Sequence, residues 1–359
     1  MKIAFIAGTL GQGGAERQLF YILKTLKQNG HDPYVLCLMK GQFWESRIRD
    51  LGIPVIWVGK SSKKLFRLLS IIREISKRSA DVIHSQHFPT NLYAVVAGLI
   101  LRKRSIGSLR SNVYDEIADA GLLGKFSFAL PKLLVCNSRN GINNAINLGK
   151  SRSQLFYLPN VVNENYFKPI LTAKVHQKLQ VAFVGTIWPP KRVDRIIRAA
   201  RKCLDQGLNV EFNLFGGGEL FDFMISYASE LSVLGVNLKF HGEISDSRIA
   251  YQQADVFLLT SDREGTPNVL LEAMACGLPI ISTNVGDVSS FITDGVNGFL
   301  ADSPDEELKI VEALRTLSEN LFLAKEMGLI NRSLIEERAS LGTLSQLLSE
   351  LYSLQESTK

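Results

Sequence analysis

The feature that most constrains the fold of this chain is a repeated alternation of short apolar runs with helix-like segments. In the first half the runs include KIAFIA, PYVLCLM, DVIHS and LLVCNS, and the second half starts again with VAFVG, VEFNLFG, VFLLTS and PIIST. These runs are apolar at consecutive positions, as in strands that are covered on both faces. The pattern predicts an α/β protein with two doubly wound, Rossmann-like domains, each built on a parallel sheet.

The predicted domains span residues 1–168 and 178–342. The segment at 163–178 is polar, lacks a clear periodicity and contains one proline, so it is the predicted linker. A final helix at about 343–359 is expected to pack back onto the first domain. Ligands of doubly wound sheets bind beyond the C-terminal ends of the strands, and we therefore expect the active site in a cleft across which the two domains face each other.

Composition excludes several classes of protein. The 359 residues are 46% hydrophobic and 21% charged, which is typical of a soluble globular chain. The longest uncharged apolar run, LYAVVAGLIL, is far shorter than the roughly 20 residues that a membrane-spanning helix needs. No basic leader precedes the first strand, and the four cysteines form no C-x-x-C pair, which argues against disulfides and a zinc site. We therefore expect a cytoplasmic protein.

Charge is divided unevenly along the chain. Residues 1–170 contain 24 Lys and Arg against 10 Asp and Glu, whereas residues 171–359 contain 17 against 25. This asymmetry predicts that the first half faces a negative partner, either a membrane surface or a nucleic acid. A nucleic acid is the poorer choice, because no recognised motif or basic-aromatic platform accompanies the charge.

The segment KKLFRLLSIIREISKR, residues 63–78, carries part of that basic charge. It places five apolar residues on one helical face and four basic residues largely elsewhere: Leu65, Leu68, Leu69, Ile72 and Ile75, and Lys63, Lys64, Arg67 and Lys77. One interpretation is a helix packed on the sheet with a solvated basic side. The other is contact with an anionic membrane surface, which would make the protein peripheral on the inner face of the cell membrane.

Two glutamates flank a predicted helix start in the stretch SDREGTPNVLLEAMACGLPIIST. Thr266 and Pro267 predict that start, because threonine caps free amides and proline is favourable at the first helical position. Glu264 precedes the helix, and Glu272 shares a face with Asn268 that is turned away from the apolar side, so Glu272 is expected to face outward. Free helix amides suit a diphosphate, and the two carboxylates are suited to accept hydrogen bonds from hydroxyls on either side of it.

This arrangement resembles glycosyltransferase family 4 of the GT-B fold, whose members carry E-x7-E followed by a stretch similar to EAMACGLPII. The resemblance extends over nearly the whole chain, through GGAERQL, DVIHS, VCNS, LPNVVNENYFKP, VGTIWPPKRVD, FGGGEL and DGVNGFL. It implies a retaining hexosyl- or N-acetylhexosaminyl-transferase. Such an enzyme moves a sugar from a nucleotide diphosphate sugar to a hydroxyl of a glycan or lipid-linked acceptor, here in bacterial surface polysaccharide or glycoconjugate biosynthesis.

The resemblance also implies roles for individual residues. Glu272 matches the glutamate that holds the nucleotide ribose, and Glu264 matches the one that contacts the transferred sugar near the reacting carbon. Lys191 matches a lysine that serves the leaving phosphates, which makes Glu264 and Lys191 the predicted catalytic residues. The arginine that accompanies this lysine in the family is replaced by Thr186. Arg192 stands where glycine is usual, either as a substitute for the missing charge or as a surface arginine.

The predicted donor-binding residues are Gly13, Gly14, Lys191, Arg192, Gly217, Glu264, Gly265, Thr266, Pro267, Asn268 and Glu272. In the first domain, Gln86 occupies the place of the second histidine of an H-x-H pair, and His87 follows it. Gln86, His87 and Arg110 are the candidates for contact with the acceptor or the sugar, and Arg110, at the end of a strand, is suited to an acidic acceptor. His84 is the expected structural histidine of this strand.

We expect neither a metal nor a cofactor, because no Asp-x-Asp motif is present and the nucleotide sugar is a substrate. UDP-N-acetylhexosamine is the favoured donor, ahead of GDP-mannose and UDP-hexoses. A nucleotide-sugar epimerase and a catalytically inactive scaffold of the same fold are the alternatives. An NAD-dependent dehydrogenase fits poorly, because Glu16 stands where a G-x-G-x-x-G motif requires its third glycine.

Overall fold

The computed structural model describes residues 1–170, 177–302 and 305–353. The chain divides into two compact units, a first unit of Met1–Val161 with Leu341–Lys359 and a second unit of Val162–Ser340. Parts of the predicted linker, at 171–176, and of the predicted final helix, at 354–359, lie outside the described residues.

A parallel sheet of seven strands forms the centre of the described part of the first unit. Its strands are β1 (Lys2–Ala7), β2 (Asp32–Cys37), β3 (Val55–Trp57), β4 (Val82–Ser85), β5 (Arg104–Leu109), β6 (Leu134–Cys136) and β7 (Leu155–Tyr157). The strand order is β3-β2-β1-β4-β5-β6-β7, so the direction of winding reverses between β1 and β4. In doubly wound sheets the ligand crevice lies beyond the C-terminal ends of the strands at this reversal point.

Six helices alternate with these strands: α1 (Gly14–Gln28), α2 (Phe43–Asp50), α3 (Lys64–Arg78), α4 (Asn91–Leu101), α5 (Val113–Ala129) and α6 (Arg139–Asn147). Apolar side chains of α1 such as Ile22 and Leu26 pack on β1 residues such as Ile3 and Phe5. Strands covered in this way bury both of their faces, which explains their continuous apolar runs.

The second unit repeats this architecture with six parallel strands among its described residues. They are β8 (Leu179–Val184), β9 (Val210–Phe215), β10 (Leu238–Gly242), β11 (Val256–Leu259), β12 (Ile280–Ser282) and β13 (Gly298–Leu300), in the order β10-β9-β8-β11-β12-β13. Its helices are α7 (Val193–Asp205), α8 (Phe221–Glu230), α9 (Arg248–Gln252), α10 (Asn268–Ala275), α11 (Val288–Phe291), α12 (Glu306–Glu319) and α13 (Leu321–Arg338). The reversal point of this sheet lies between β8 and β11.

The chain passes into the second unit before residue 168, where the sequence predicted the first domain to end. Val162 and Phe167 are buried in the core of the second unit, together with residues of α10. The last described helix, α14 (Leu341–Ser353), belongs to the first unit, because Leu344, Leu348 and Tyr352 are buried in its core.

Helix α3 differs from its sequence prediction. Leu65, Phe66 and Leu69 are exposed, whereas Ile71 and Ile75 are buried against strands β1, β2 and β4. The interpretation in which the whole apolar face packs on the sheet therefore fails at Leu65 and Leu69. Helical spacing assigns residues to a common face, but the sheet covers only the C-terminal part of this helix. None of the helices in the described ranges combines the length and the apolar character needed to cross a bilayer.

Candidate functional site

The two predicted catalytic residues lie together at the reversal point of the second sheet. Lys191 Nζ donates to Glu264 Oε1 at 2.5 Å, and Ser261 Oγ donates to the same oxygen at 2.8 Å. Lys191 ends a 3-10 turn, Pro189–Lys191, in the loop that follows β8, and Glu264 lies in the loop that follows β11. Because β8 and β11 are neighbouring parallel strands, their C-terminal loops meet at one edge of the sheet.

Further hydrogen bonds hold these two loops against each other. The hydroxyl of Thr260, which follows β11, donates to the carbonyl oxygens of Lys191 at 3.0 Å and Arg192 at 3.1 Å. The amide of Asp262 donates to the carbonyl oxygen of Pro190 at 2.8 Å. Hydrogen bonds from Thr260 and Asp262 to backbone carbonyls therefore fix the loop that carries Lys191, in addition to the contact between Lys191 and Glu264.

Arg192 is engaged in ion pairs with two carboxylates. Its Nε and Nη2 donate to the two carboxylate oxygens of Asp194, each at 3.0 Å, and its Nη1 donates to Asp262 Oδ2 at 3.1 Å. The hydrogen bonds to Asp194 raise the pKa of Arg192 above its ordinary value. This geometry favours the surface, structural interpretation of Arg192 over a substitute for the arginine that is absent at Thr186.

Glu272 is buried, with 2% of its surface exposed, so the prediction that it faces outward is wrong. Tyr251 Oη and Ser247 Oγ donate to Glu272 Oε2 at 2.9 and 3.1 Å. Helical spacing placed Glu272 away from the apolar side of α10. It could not show that Ser247, which precedes α9, and Tyr251, which lies on α9, cover the face of α10 that carries Glu272. The carboxylate is held in one orientation, as a binding group would need to be.

The turn before α10 is held by residues that follow β12. Pro267, not the predicted Thr266, occupies the cap position of the helix, and Asn268 is its first residue. The Thr266 hydroxyl donates to Asp287 Oδ2 at 3.4 Å, and the Asp287 amide donates to the Gly265 carbonyl at 2.9 Å. Gly286 has a φ of 56°, and a Cβ atom there would lie 2.1 Å from the Gly265 oxygen.

The glycine run at 216–218 packs against the loop after β8. Gly216 has a φ of 139° and Gly218 a φ of 145°. A Cβ atom on them would lie 1.9 Å from the Gly185 oxygen and 2.5 Å from the Ile187 oxygen, respectively. The carbonyl of Gly217 accepts a hydrogen bond from the Ile187 amide at 2.7 Å. The sequence singled out only Gly217, whereas its two neighbours are the residues that this close approach requires to be glycine.

In the first unit, the glycines of the loop after β1 lie beside a carboxylate. Gly13 caps α1 and Gly14 begins it. A Cβ atom on Gly13 would lie 2.2 Å from Glu16 Oε2, so the Glu16 side chain folds back over the first turn of the helix. A carboxylate at this position interacts favourably with the helix N-terminus. Sequence reasoning used Glu16 only to reject a dinucleotide motif and missed this contact.

His87 and Gln86 also lie at the start of α1. The Gly8 amide donates to His87 Nδ1 at 3.2 Å, and His87 Nε2 lies 3.3 Å from Glu16 Oε1. Because Nδ1 is the acceptor of this hydrogen bond, we assign a proton to Nε2, the ring nitrogen that faces Glu16. Gln86 is fully buried and its Nε2 donates to the Ala15 carbonyl at 2.8 Å, so its amide lies under the first turn of α1.

Arg110 follows β5 and lies among buried polar groups. Its Nε and Nη2 atoms are buried and have no hydrogen-bond partner among the described residues. Burial lowers the pKa of Arg110 to about 10, although Glu16 acts in the opposite direction. His84 is buried too, and burial together with the charge of Arg110 lowers its pKa to about 3, so its ring is neutral. The ring stacks on Phe5, as expected for a structural histidine.

Comparison with known proteins decides the family. The family described as Glycosyl transferases group 1 matches residues 169–332, and the family described as Glycosyltransferase Family 4 matches residues 12–166. The chain is therefore a glycosyltransferase with a Family 4 domain and a group 1 domain. The two matches confirm the resemblance seen in the sequence.

Similar proteins support the GT-B fold of this chain. The structure of HepE from Anabaena in complex with UDP has a TM-score of 0.85 at 20% identity, covering 98% of this chain and 100% of that chain. A phosphatidylinositol N-acetylglucosaminyltransferase from Arabidopsis thaliana is 23% identical over 317 residues, which are 84% of this chain and 70% of the relative. UDP-Gal:alpha-D-GlcNAc-diphosphoundecaprenol alpha-1,3-galactosyltransferase from Escherichia coli is 21% identical over 345 residues, 89% of each chain. The predicted GT-B fold is thus confirmed.

Proposed function

We propose that this protein is a retaining, metal-independent glycosyltransferase. It moves a hexosyl or N-acetylhexosaminyl group from a nucleotide diphosphate sugar to a hydroxyl of a glycan or lipid-linked acceptor, in bacterial surface polysaccharide or glycoconjugate biosynthesis. The observation that carries this proposal is the contact between Lys191 and Glu264 at the reversal point of the second sheet. It supplies a cation for a leaving phosphate beside a carboxylate that can bind a sugar hydroxyl.

Lys191 is the group that would stabilise the leaving diphosphate. When the bond between the sugar and the diphosphate breaks, its electron pair moves to the phosphate oxygen, and negative charge develops there. A cation that is already in place stabilises this charge without any reorganisation. Lys191 is 16% exposed, so an oxygen of the donor can reach it, and its ammonium group has donors besides the one used by Glu264.

Glu264 would orient the transferred sugar. Among the described residues, Lys191 and Ser261 both donate to Oε1 of this carboxylate. This leaves Oε2 to accept a hydrogen bond from a sugar hydroxyl near the reacting carbon. The acceptor hydroxyl attacks the same face of the sugar from which the diphosphate departs and gives its proton to the departing phosphate oxygen, so the configuration is retained.

Glu272 would bind the ribose of the nucleotide. Its carboxylate is buried and its orientation is set by Tyr251 and Ser247. A carboxylate prepared in this way can accept hydrogen bonds from ribose hydroxyls without losing conformational entropy on binding. Its burial also means that the residue contributes to packing, so its replacement must keep its size.

The favoured donor is UDP-N-acetylhexosamine. UDP-hexoses and GDP-mannose are less favoured. The solved structures of HepE contain UDP or UDP-glucose, and the name of the Escherichia coli relative specifies UDP-galactose. The name of the Arabidopsis relative specifies transfer of N-acetylglucosamine. The names that specify a nucleotide support a UDP-sugar as the donor, and the identity of the sugar is left to experiment.

The test is a panel of UDP-N-acetylglucosamine, UDP-N-acetylgalactosamine, UDP-glucose, UDP-galactose and GDP-mannose. We expect one UDP-sugar to raise the melting temperature and to be hydrolysed slowly, with release of UDP and of a sugar that keeps its anomeric configuration. A changed sugar nucleotide without release of UDP would identify an epimerase. Binding without turnover, with acceptors supplied, would identify an inactive scaffold.

The surface of the first unit supports action at an anionic membrane. Leu65, Phe66 and Leu69 are exposed at the start of α3, next to Lys63, Lys64 and Arg67. The neighbouring helix α4 exposes two more apolar residues and is followed by three basic residues: Leu99 and Ile100, then Arg102, Lys103 and Arg104. Exposed apolar side chains surrounded by basic ones are typical of helices that lie in a membrane interface. We therefore expect reversible docking that brings the enzyme to a lipid-linked acceptor.

A further inference from the structure

One edge of a buried guanidinium in the first unit has no partner. Arg110 Nε and Nη2 are buried without a hydrogen bond to any described residue. Their two N–H groups point in parallel from the same edge, and this is the edge that pairs with both oxygens of a carboxylate or a phosphate. Two charged donors that are buried without an acceptor are costly, so this arrangement points to a ligand.

His84 offers a further donor beside Arg110. Its Nδ1 lies 2.8 Å from Tyr352 Oη, and its Nε2 is buried without a partner among the described residues. Burial raises the pKa of Tyr352, so the phenol is protonated, and we assign it as the donor to Nδ1. The proton of the neutral His84 ring is therefore on Nε2.

Gln86 adds an acceptor to the same cluster. It lies two residues after His84, on the same side of the chain, and its Oε1 is buried without a partner among the described residues. Arg110 itself is only partly buried, which gives the cluster an opening to solvent. The cluster thus combines parallel cationic donors with an acceptor for a neighbouring hydroxyl.

We propose that Arg110 binds an anionic group of the acceptor, a carboxylate or a phosphate, with Gln86 accepting a hydrogen bond from a hydroxyl next to it. The inference rests on the proposed function, because it names the acceptor class of that reaction as an acidic or phosphorylated sugar. Glu16 is the nearby negative charge that opposes such a ligand, and its Oε1 lies 3.3 Å from His87 Nε2.

The experiment measures the binding of small probes in the absence of donor. Calorimetry compares D-glucuronate, glucose 6-phosphate and glucose on the full chain. We expect at least one anionic sugar to bind at least tenfold more tightly than glucose, and the pair of anions distinguishes a carboxylate site from a phosphate site. Arg110→Gln should abolish this preference. The matched control is Arg198→Gln, which removes an arginine already paired with Asp194 and Glu307 and should leave the preference unchanged.

Two further measurements test the inference, on the variant Glu16→Gln and on the affinity for UDP. Glu16→Gln removes the opposing charge and should tighten binding of the anionic probe at least twofold, a gain that a misfolded protein cannot produce. UDP affinity is measured for the same variants and should not change in Arg110→Gln. Equal affinity of the wild type for glucose and both anions would overturn the inference. So would a loss of UDP affinity in Arg110→Gln without a loss of anion affinity, or no gain in Glu16→Gln.

Because these measurements use no donor, they separate the inference from the proposed function. A chain that binds the anionic probe through Arg110 but hydrolyses no nucleotide sugar would contradict the proposed function alone. A chain that hydrolyses a UDP-sugar but shows no preference for anions would contradict the inference alone.

Discussion

Arg192 in the second unit and Arg110 in the first unit present the same guanidinium edge to different surroundings. In Arg192, Nε and Nη2 pair with both oxygens of Asp194. In Arg110, the same two atoms are buried without a partner among the described residues. An arginine whose edge is filled by a neighbouring carboxylate stabilises the fold, whereas a buried edge without an acceptor is available to a ligand. The sequence alone did not show which of these two arginines is available to a ligand.

The two reversal points differ in the same way. In the second sheet, the cation Lys191 and the anion Glu264 are already paired, so the site is prepared for a ligand that carries both phosphates and hydroxyls. In the first sheet, the cluster around Arg110 has an excess of donors. The common topology positions the loops, and the side chains decide which ligand each set of loops can bind.

The largest effect should come from the paired cation. Lys191→Ala should lower kcat about 100-fold, equal to about 3 kcal/mol, because it removes a charged donor from the developing diphosphate. The assay is release of UDP from the donor found in the panel, with Lys202→Ala on α7 as the control for loss of a lysine. A kcat within twofold of the wild type would show that Lys191 takes no part in the reaction.

The next effect concerns contact of the first unit with a membrane. Changing Lys63, Lys64 and Arg67 to glutamine should weaken binding to vesicles that contain anionic lipid at least tenfold at low salt, since each basic residue near the surface contributes about 1 kcal/mol. High salt should weaken binding of the wild type in the same direction. Wild type that does not sediment with the vesicles would show that the basic face is merely solvated.

A matched pair of exposed phenylalanines sharpens this contrast between the units. Phe66 on α3 has only basic residues among its charged sequence neighbours Lys63, Lys64 and Arg67, whereas the charged sequence neighbours of Phe322 on α13 are mixed: Glu319, Lys325 and Glu326. Phe66→Ser should weaken vesicle binding, because an apolar side chain inserts only where the surrounding charge attracts the membrane. Phe322→Ser should have no effect, and equal losses in both variants would contradict docking through the first unit.

A smaller effect is expected at the ribose site. Glu272→Gln should weaken UDP affinity about tenfold, within the roughly 1–3 kcal/mol expected when hydroxyls lose a charged acceptor. Glutamine keeps the size of this buried side chain, which alanine would not. Calorimetry with UDP is the measurement, and Tyr251→Phe is the control that keeps the carboxylate and should lose less affinity. Unchanged UDP affinity in Glu272→Gln would remove this residue from the donor site.

The smallest effect should be that of Arg192→Gln. Its ion pairs are one-third exposed, so their loss should cost about 0.5–1 kcal/mol of unfolding free energy. This corresponds to a decrease of about 2 °C in melting temperature, with kcat and UDP affinity close to the wild type. A tenfold loss of kcat at unchanged stability would instead restore Arg192 as the substitute for the arginine absent at Thr186.

Much of the fold and part of the site could be predicted because they depend on local patterns. Apolar runs and helical spacing predicted two doubly wound units, and the resemblance to the family implied that Lys191 and Glu264 serve one site. The exposed side of α3 could not be predicted in this way. Helical spacing places Leu65 and Ile75 on one face of the helix. It does not show how far along the helix the sheet covers this face.

The type and spacing of residues along the chain were enough to predict its α/β architecture, its family and the residues that follow the strands at each reversal point. These features follow from the type and spacing of residues that are close along the chain. Only the tertiary structure decided the surroundings of single charges. Tyr251 covers Glu272, Asp262 reaches Arg192 from another loop, and no described residue reaches the open edge of Arg110. These outcomes depend on side chains that are distant in sequence, and burial then determines whether each charge is paired, hidden or left for a ligand.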